Sequence, residues 1–224
     1  MIAPDIPDNE SSRIAELQAL HILDTPPEER FDRVTRLTQK MFDVPMCFIS
    51  FIDSDRQWYK STQGTNETES CREASFCGHA ILSDDVLTVP NALDDHRFSD
   101  NPAVAGEPHI RFYAGAPIIM PSGNRLGTLC IVDTEPRSFC KGDEEILRDF
   151  CDLIVAELIN QQEAATDSLT GVFNRRGFEM LAEKAVLNAR RYGWDCCLMY
   201  IDINRFKSIN DTYGHTMGDR ALKS

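Results

Sequence analysis

The hydrophobic positions of the chain change period along its length, and each period predicts a kind of element. Ile14, Leu17 and Leu20 or His21 recur at helical spacing, and Phe31, Val34, Leu37 and Met41 mark one face of a second helix. Thr25-Pro26-Pro27-Glu28 precedes that helix. Thr25 suits an N-cap, Pro26 the first helical position and Glu28 the capping-box position. Residues 46–53 read as a buried strand and 56–62 as its hairpin partner across Asp53-Ser54-Asp55. Residues 71–82 predict a short helical stretch weakened by Gly78, and 86–90 a short strand. Residues 91–108 have loop chemistry, with Asp94-Asp95, Ser99-Asp100-Asn101-Pro102 and Gly106-Glu107-Pro108. Two further strands, 110–120 and 125–132, flank the turn Pro121-Ser122-Gly123-Asn124, the clearest hairpin signal in the sequence.

From Gly142 a long helix begins. Leu147, Cys151, Ile154 and Leu158 form one stripe, and Ile146, Phe150 and Leu153 a second beside it. Two readings fit: one stripe packs on its own domain while the other meets a partner helix, or both form one wide core face. A new pattern starts at Asp167. An amphipathic helix carries Phe178, Leu181, Val186 and Leu187, residues 194–203 predict a buried strand, and helical patterns return at 206–211 and from 217. There is no internal repeat.

The length, 224 residues, corresponds to about one and a half domains at roughly 150 residues each. Net charge is −13 but uneven: residues 161–224 carry eight acids and nine bases, so the first 160 carry −14. That charge argues against nucleic acid or an anionic membrane as a partner of the first part. No apolar run is long enough to span a bilayer, and the polar, acidic start lacks a secretory pattern; a cytoplasmic location is expected. The eight cysteines lie mostly within apolar segments, as free thiols do in a reducing compartment.

DSLTGVFNRRGF at 167–178 and YIDINRFKSINDTYGHTMGD at 200–219 lie about twenty residues apart, and together they resemble the opening half of a GGDEF domain, the diguanylate cyclase family. The resemblance covers 58 residues. It implies that Asp202 and the Ile203 carbonyl bind Mg²⁺, that Phe206 and Lys207 run along the phosphates of GTP, and that Asn210 and Asp219 read guanine. Each residue type suits its role: a carboxylate at a strand end fits a hard cation, and an amide with a carboxylate can match a guanine edge. Taken singly, each also reads as an ordinary solvated or turn residue. Asn204 departs from the family, which often has an aspartate there, and keeps an oxygen but no charge. The Gly-Gly-Asp/Glu-Glu-Phe signature is not within the sequence, so the chain as it stands is expected to lack a complete catalytic site and to be inactive as a cyclase.

LHILDTPPEERFDRVTRLTQKMFDVP at 20–45, SFCGHAIL at 75–82, HIRFYAGAPI at 109–118 and GTLCIVD at 127–133 resemble GAF domains. The resemblance implies an antiparallel sheet flanked by helices, with a pocket on one side for an unknown small molecule. Cys77, His79, Asp94, His109 and Arg111 are the pocket candidates. Their structural alternatives stay open: Arg111 pairing an acid, His79 capping or packing. Cys71, Cys77 and His79 do not have structural-zinc spacing. The organisation expected is a flexible arm at 1–12, a GAF-like sensor domain at 13–141, a linker and dimerisation helix at 142–166 and the N-terminal part of an α/β GGDEF domain at 167–224, an α+β chain overall. Three functions follow: a sensor-regulated, homodimeric diguanylate cyclase of bacterial type using GTP and Mg²⁺; a non-enzymatic binding and dimerisation module; and a redox enzyme using Cys71 or Cys77.

Overall fold

The computed structural model describes residues 1–223 and divides after Leu158 into two compact units. The first is built on a six-stranded antiparallel sheet: β1 Met46–Ile52, β2 Arg56–Gln63, β3 Glu69–Cys71, β4 Leu87–Val89, β5 Phe112–Ile119 and β6 Arg125–Asp133, in the order β3-β2-β1-β6-β5-β4. Helices α1 Glu10–Ala19, α2 Glu29–Phe42, α3 Phe76–Ala80 and α4 Pro102–Ala105 accompany it, and α5 spans Lys141–Ala165.

All seven residues of β1 are buried, so both faces of the sheet are covered. Because successive side chains alternate, Met46, Phe48 and Ile52 join Phe76, Cys77 and Ile81 in one apolar cluster, while Cys47, Ile49 and Phe51 point the other way. Helix α5 docks on β5 through Cys151, whose thiol donates to the carbonyls of Ala116 and Pro117 at 3.6 and 3.4 Å. Its stripe Leu147, Cys151, Ile154 and Leu158 is buried, whereas Ile146 and Phe150 are half-buried and Leu153 is 53% exposed. That difference favours two stripes over one wide core face.

A bulge in β2 sets the α2 side. The pairing passes from Ile49–Ser61 to Ser50–Tyr59, leaving Lys60 as the extra residue. Its buried ammonium pairs with Glu28 at 2.6 Å and donates to Thr25 Oγ1 and the Pro26 carbonyl at 2.7 and 2.9 Å. The expected capping box is therefore corrected. Helix α2 starts at Glu29, after Glu28, and the Thr25 hydroxyl donates back to the Ile22 carbonyl at 2.6 Å. Thr25 and Pro26 each precede a proline, which keeps both out of the helical region.

Residues 1–12, expected as a free arm, lie along the domain. The terminal amine pairs with Asp100, Ile2 N–H donates to the Arg97 carbonyl at 3.2 Å, and residues 10–12 already belong to α1. The 71–82 stretch is not one helix; a 3₁₀ turn at Arg72–Ala74 leads into α3, whose Ser75 cap accepts from Gly78 N–H at 2.9 Å. The loop at 91–108 contains α4, capped by Asn101, which accepts from Ala103 N–H.

The second unit contains the end of α5, then α6 Arg175–Tyr192, α7 Phe206–Tyr213 and α8 His215–Leu222. The strand expected at 194–203 is absent. This stretch is irregular and its apolar residues are open to solvent, with Tyr200 94% exposed. A strand buried on both faces needs paired neighbours, and among the described residues of this unit none pairs with it.

Candidate functional site

The face of the sheet on which α3 and α4 pack holds a cavity of about 500 Å³. Its floor is made by Met46 and Phe48 of β1, Gln57 and Tyr59 of β2, Tyr113 of β5, and Cys130 and Val132 of β6. Ser75, Phe76 and Cys77 form one wall, and the segments around Asn101 and Pro108 form another. Alternation along the strands points these residues to one face, and Phe76 stacks between Phe98 and Tyr113 with ring centroids 4.0 and 5.1 Å away. The charged side chains among the lining residues described are Glu67 and Glu107.

Polar groups converge on Cys77. Its sulfur accepts from Gln57 Nε2–H at 3.2 Å and from the Tyr113 hydroxyl at 3.3 Å, and lies 3.6 Å from the Cys130 sulfur. Gly115 makes the Tyr113 contact possible, since a β-carbon at Gly115 would sit 2.1 Å from the Tyr113 oxygen. Burial pushes the Cys77 thiol up, but hydrogen bonds with Cys130, Ser50, Thr128 and Tyr113 outweigh it and bring it below the usual thiol range. Cys130 moves well up, from burial and from its neighbour Cys77.

Of the five residues expected in the pocket, Cys77 alone is among the lining residues. His79 faces the N-terminal segment, with Nε2 3.0 Å from the Ile2 carbonyl and its ring edge-on to Phe98. Asp94 accepts from Asn91 Nδ2 at 2.7 Å within its own loop. His109 takes a left-handed backbone conformation after Pro108, with Nε2 3.6 Å from Glu107. Arg111 donates to the carbonyls of Val104 and Ile110, both at 2.9 Å, and so braces the loop rather than facing the cavity. Gln57, Tyr113 and Cys130 were not singled out. Their signal is weak in sequence, because each lies in a strand with no motif around it.

In the second unit, the Asp167–Phe178 motif forms a stitched turn. Asp167 Oδ1 accepts from the N–H groups of Leu169 and Thr170 and from the Thr170 hydroxyl, contacts that hold its carboxyl below the usual range. Asn174 caps α6 by accepting from Gly177 N–H at 3.1 Å, and its amide donates to the carbonyls of Ala164 and Thr166, both at 3.0 Å. The end of α5 is thereby tied to α6. Asp202 and Ile203 lie in the irregular exposed stretch, and Phe206, Lys207 and Asn210 on α7. Asp219 follows Gly218 on α8; a β-carbon at Gly218 would lie 1.9 Å from Asn210 Oδ1, so the two helices meet beside both guanine-site candidates. Among the described residues no cluster of three or more His, Cys, Asp or Glu forms a metal site. Asp202 and the Ile203 carbonyl are hard oxygen donors of the kind Mg²⁺ takes, and they lie in the exposed irregular stretch rather than at the strand end expected. No helix of the described residues is long and apolar enough to cross a membrane.

The GAF domain model matches residues 26–158, and the model for the diguanylate cyclase GGDEF domain matches residues 164–224. A cyclic di-GMP phosphodiesterase of Pseudomonas aeruginosa is 38% identical over 78% of this chain and 30% of its own length. A diguanylate cyclase of Escherichia coli is 36% identical over 50% of this chain and 37% of its own. The chain thus spans about a third of the length of these relatives. Among solved structures, free methionine-R-sulfoxide reductase from Neisseria meningitidis superimposes with a TM-score of 0.52 at 14% identity, over 73% of this chain and 98% of its own. The GAF domain of an Acinetobacter phosphoenolpyruvate-protein phosphotransferase gives 0.50 at 15%, over 68% and 96%. At those identities the likeness speaks for the fold alone. The matched GAF model spans more than half of the sequence, and the six-stranded sheet with its one-sided cavity is that fold: the chain belongs to the GAF domain family, its GAF domain followed by part of a GGDEF domain.

Proposed function

We propose that the chain is the sensory portion of a cyclic di-GMP signalling enzyme, in which the GAF cavity takes up a small molecule and α5 carries its effect to the GGDEF segment. The observation that supports this most is the build of α5. It is one 25-residue helix, docked on the GAF sheet through Cys151 and fastened at its other end to the GGDEF motif through Asn174. The cavity disfavours anionic ligands such as cyclic nucleotides, because its charged lining is acidic. Neutral or cationic molecules suit it better.

For the cyclase reading, the working assembly is a homodimer whose α5 helices set the distance between two GTP-loaded GGDEF domains. The exposed Leu153 stripe supplies the surface for that contact. Asp202 and the Ile203 carbonyl would hold Mg²⁺, which neutralises phosphate charge; Phe206 and Lys207 would lie along the phosphates, and Asn210 and Asp219 would read guanine. The reaction takes place in the cytoplasm, where GTP is.

The greater extent of the match to the phosphodiesterase supports a second reading: the GGDEF segment regulates a neighbouring cyclic di-GMP hydrolase. Full-length protein extended beyond Ser224 is assayed with GTP and, separately, with cyclic di-GMP. Cyclic di-GMP formation that is lost in Asp202→Ala supports the cyclase. Hydrolysis without synthesis supports the second reading, and neither activity removes both. Thermal shift of the 224-residue chain against uncharged and cationic metabolites tests the cavity; no shift with any of them removes its sensory role.

A further inference from the structure

Two thiols meet at the cavity, Cys77 from its wall and Cys130 from its floor, and neither has a part in the signalling function proposed above. Cys77 lies in α3 and Cys130 near the middle of β6, and their sulfurs are 3.6 Å apart. The donors around Cys77 are oriented. Ser75 Oγ accepts from Gly78 N–H and gives its own proton to Gln57 Oε1, which leaves the Gln57 amide N–H aimed at the Cys77 sulfur. Tyr113 cannot swing away from the sulfur without leaving the groove that Gly115 opens for it. Donors converging on one sulfur favour thiolate over thiol, since a thiolate is the better acceptor.

We propose that Cys77 and Cys130 are a redox-active pair that reacts with a small hydroperoxide entering the cavity. The Cys77 thiolate attacks one peroxide oxygen and the O–O bond breaks. Hydroxide or alkoxide leaves and is neutralised by the proton that Cys77 released on ionising, and Cys77 becomes a sulfenic acid. The Cys130 sulfur then gives up its proton and attacks the Cys77 sulfur. The S–O bond breaks, water leaves, and a disulfide remains; the two sulfurs have to approach by about 1.5 Å. The two cysteines divide the work as their surroundings dictate: the donors on Cys77 favour its thiolate as the attacking group, and Cys130, held up by burial and by its neighbour, keeps its proton until it resolves the intermediate. Burial raises Cys47 and Cys151 as well, and neither lines the cavity. Cys71 does line it, is exposed, and serves as an internal control.

The proposal rests on the cavity admitting small molecules, as the sensory reading does, but is read on the sulfurs themselves, so either can fail alone. The 224-residue chain is treated with hydrogen peroxide and its cysteines are mapped by mass spectrometry. The expected result is a disulfide between the peptides carrying Cys77 and Cys130. Cys130→Ser should stop at a Cys77 sulfenic acid trapped by dimedone, Cys77→Ser should form neither, and Cys71→Ser should behave as the unaltered chain. Because serine at a buried site can disturb folding, Tyr113→Phe provides a second test that keeps both thiols. There the pH profile of Cys77 alkylation should move upward, with a rate at neutral pH about three- to tenfold lower. Oxidation falling first on Cys71, Cys77 reacting no faster than Cys71, or an unchanged profile in folded Tyr113→Phe would overturn the assignment.

Discussion

Glu10 at the start of α1 holds together two buried guanidinium groups, and its removal should cost more than any surface charge. Arg13 is fully buried and grips both Glu10 oxygens at 2.8 Å, and Arg72 reaches Glu10 Oε1 at 2.6 Å. Arg13 also donates to the Ile52 carbonyl at 2.5 Å, and Arg72 to the Asp53 carbonyl at 2.9 Å, so the cluster fastens α1 to the end of β1. Burial works against the Glu10 carboxylate, yet the two arginines bring its pKa from 4.5 to about 2. That difference corresponds to about 3 kcal/mol in full, and to about 2 kcal/mol after allowance for screening at a carboxylate 22% exposed. Leaving two buried cations without their anion gives a similar or larger figure, about 3 kcal/mol or more. Glu10→Gln should therefore destabilise the GAF unit by about 2–3 kcal/mol at pH 7.

The pH dependence gives the sharper check. A carboxyl whose folded pKa is depressed stabilises fully above 4.5 and loses that contribution as pH falls through about 2. At pH 3 roughly two fifths should remain, so the gap between the unaltered chain and Glu10→Gln should narrow accordingly. The chain has two tryptophans, Trp58 buried in the GAF sheet and Trp194 exposed in the second unit. In a Trp194→Phe background, urea unfolding followed by Trp58 fluorescence reports the GAF unit alone. A gap below about 0.5 kcal/mol at pH 7, or one that does not change between pH 7 and 3, would refute the reasoning.

Other outcomes follow from the same contacts. Gly115→Ala places a methyl where the Tyr113 hydroxyl lies, so it should cost about 1–3 kcal/mol and raise the pH of Cys77 alkylation; urea melts and an alkylation profile check it. Asn174→Ala removes the α6 cap and the two side-chain tethers to Ala164 at the end of α5 and to Thr166 just after it, and should cost about 1–2 kcal/mol of the second unit's stability, read as lost helical circular dichroism on heating. Leu153→Glu on the exposed stripe of α5 should leave GAF stability within about 0.5 kcal/mol while abolishing self-association in sedimentation velocity; undiminished dimer would remove α5 as the dimer surface.

The GAF sheet was legible in the sequence because its strands announce themselves locally. Residues 46–52 and 112–119 are apolar runs bounded by turn chemistry, and the Pro121–Asn124 turn fixes one hairpin. The cap of α2 was misread because Thr25 satisfies the composition of a capping box while the two prolines after it forbid the geometry, and nothing local reveals that Lys60 occupies Thr25. Residues 194–203 were misread for the opposite reason. Their apolar pattern is that of a central strand, but a strand is made by its neighbours, and none pairs with it among the described residues. The cavity was half legible. Cys77 falls within a family-like motif, whereas Gln57, Tyr113 and Cys130 converge on it from three strands, and such convergence exists only after folding. Arg111 and His79 looked like ligand groups because they are polar residues in conspicuous motifs; their partners are backbone carbonyls, of Val104 in α4 and the adjacent Ile110 for Arg111, and of Ile2 in the N-terminal segment for His79.

The position of Cys130 says what a signal from the cavity has to do to reach α5. Cys130 faces Gly115 across the β5–β6 ladder, and the next pair, Leu129 with Ala116, carries the carbonyl on which the Cys151 thiol rests. The cavity floor and the α5 docking point are thus one ladder step apart on opposite faces of one sheet. Proximity alone transmits nothing, because a ligand or a disulfide shifts α5 only if it favours one arrangement of that helix over another. A tightly filled sheet is a poor place for gradual change, and the two α5 stripes offer a discrete alternative: the buried stripe held as it is, or a rotation that trades it against the half-buried Ile146 and Phe150. Pulling Cys130 toward Cys77 would strain β6 at the step beneath the Cys151 thiol, which rests on the Ala116 and Pro117 carbonyls. A tenfold change in output needs a bias of about 1.4 kcal/mol, no more than the loss of one or two such sulfur hydrogen bonds would supply.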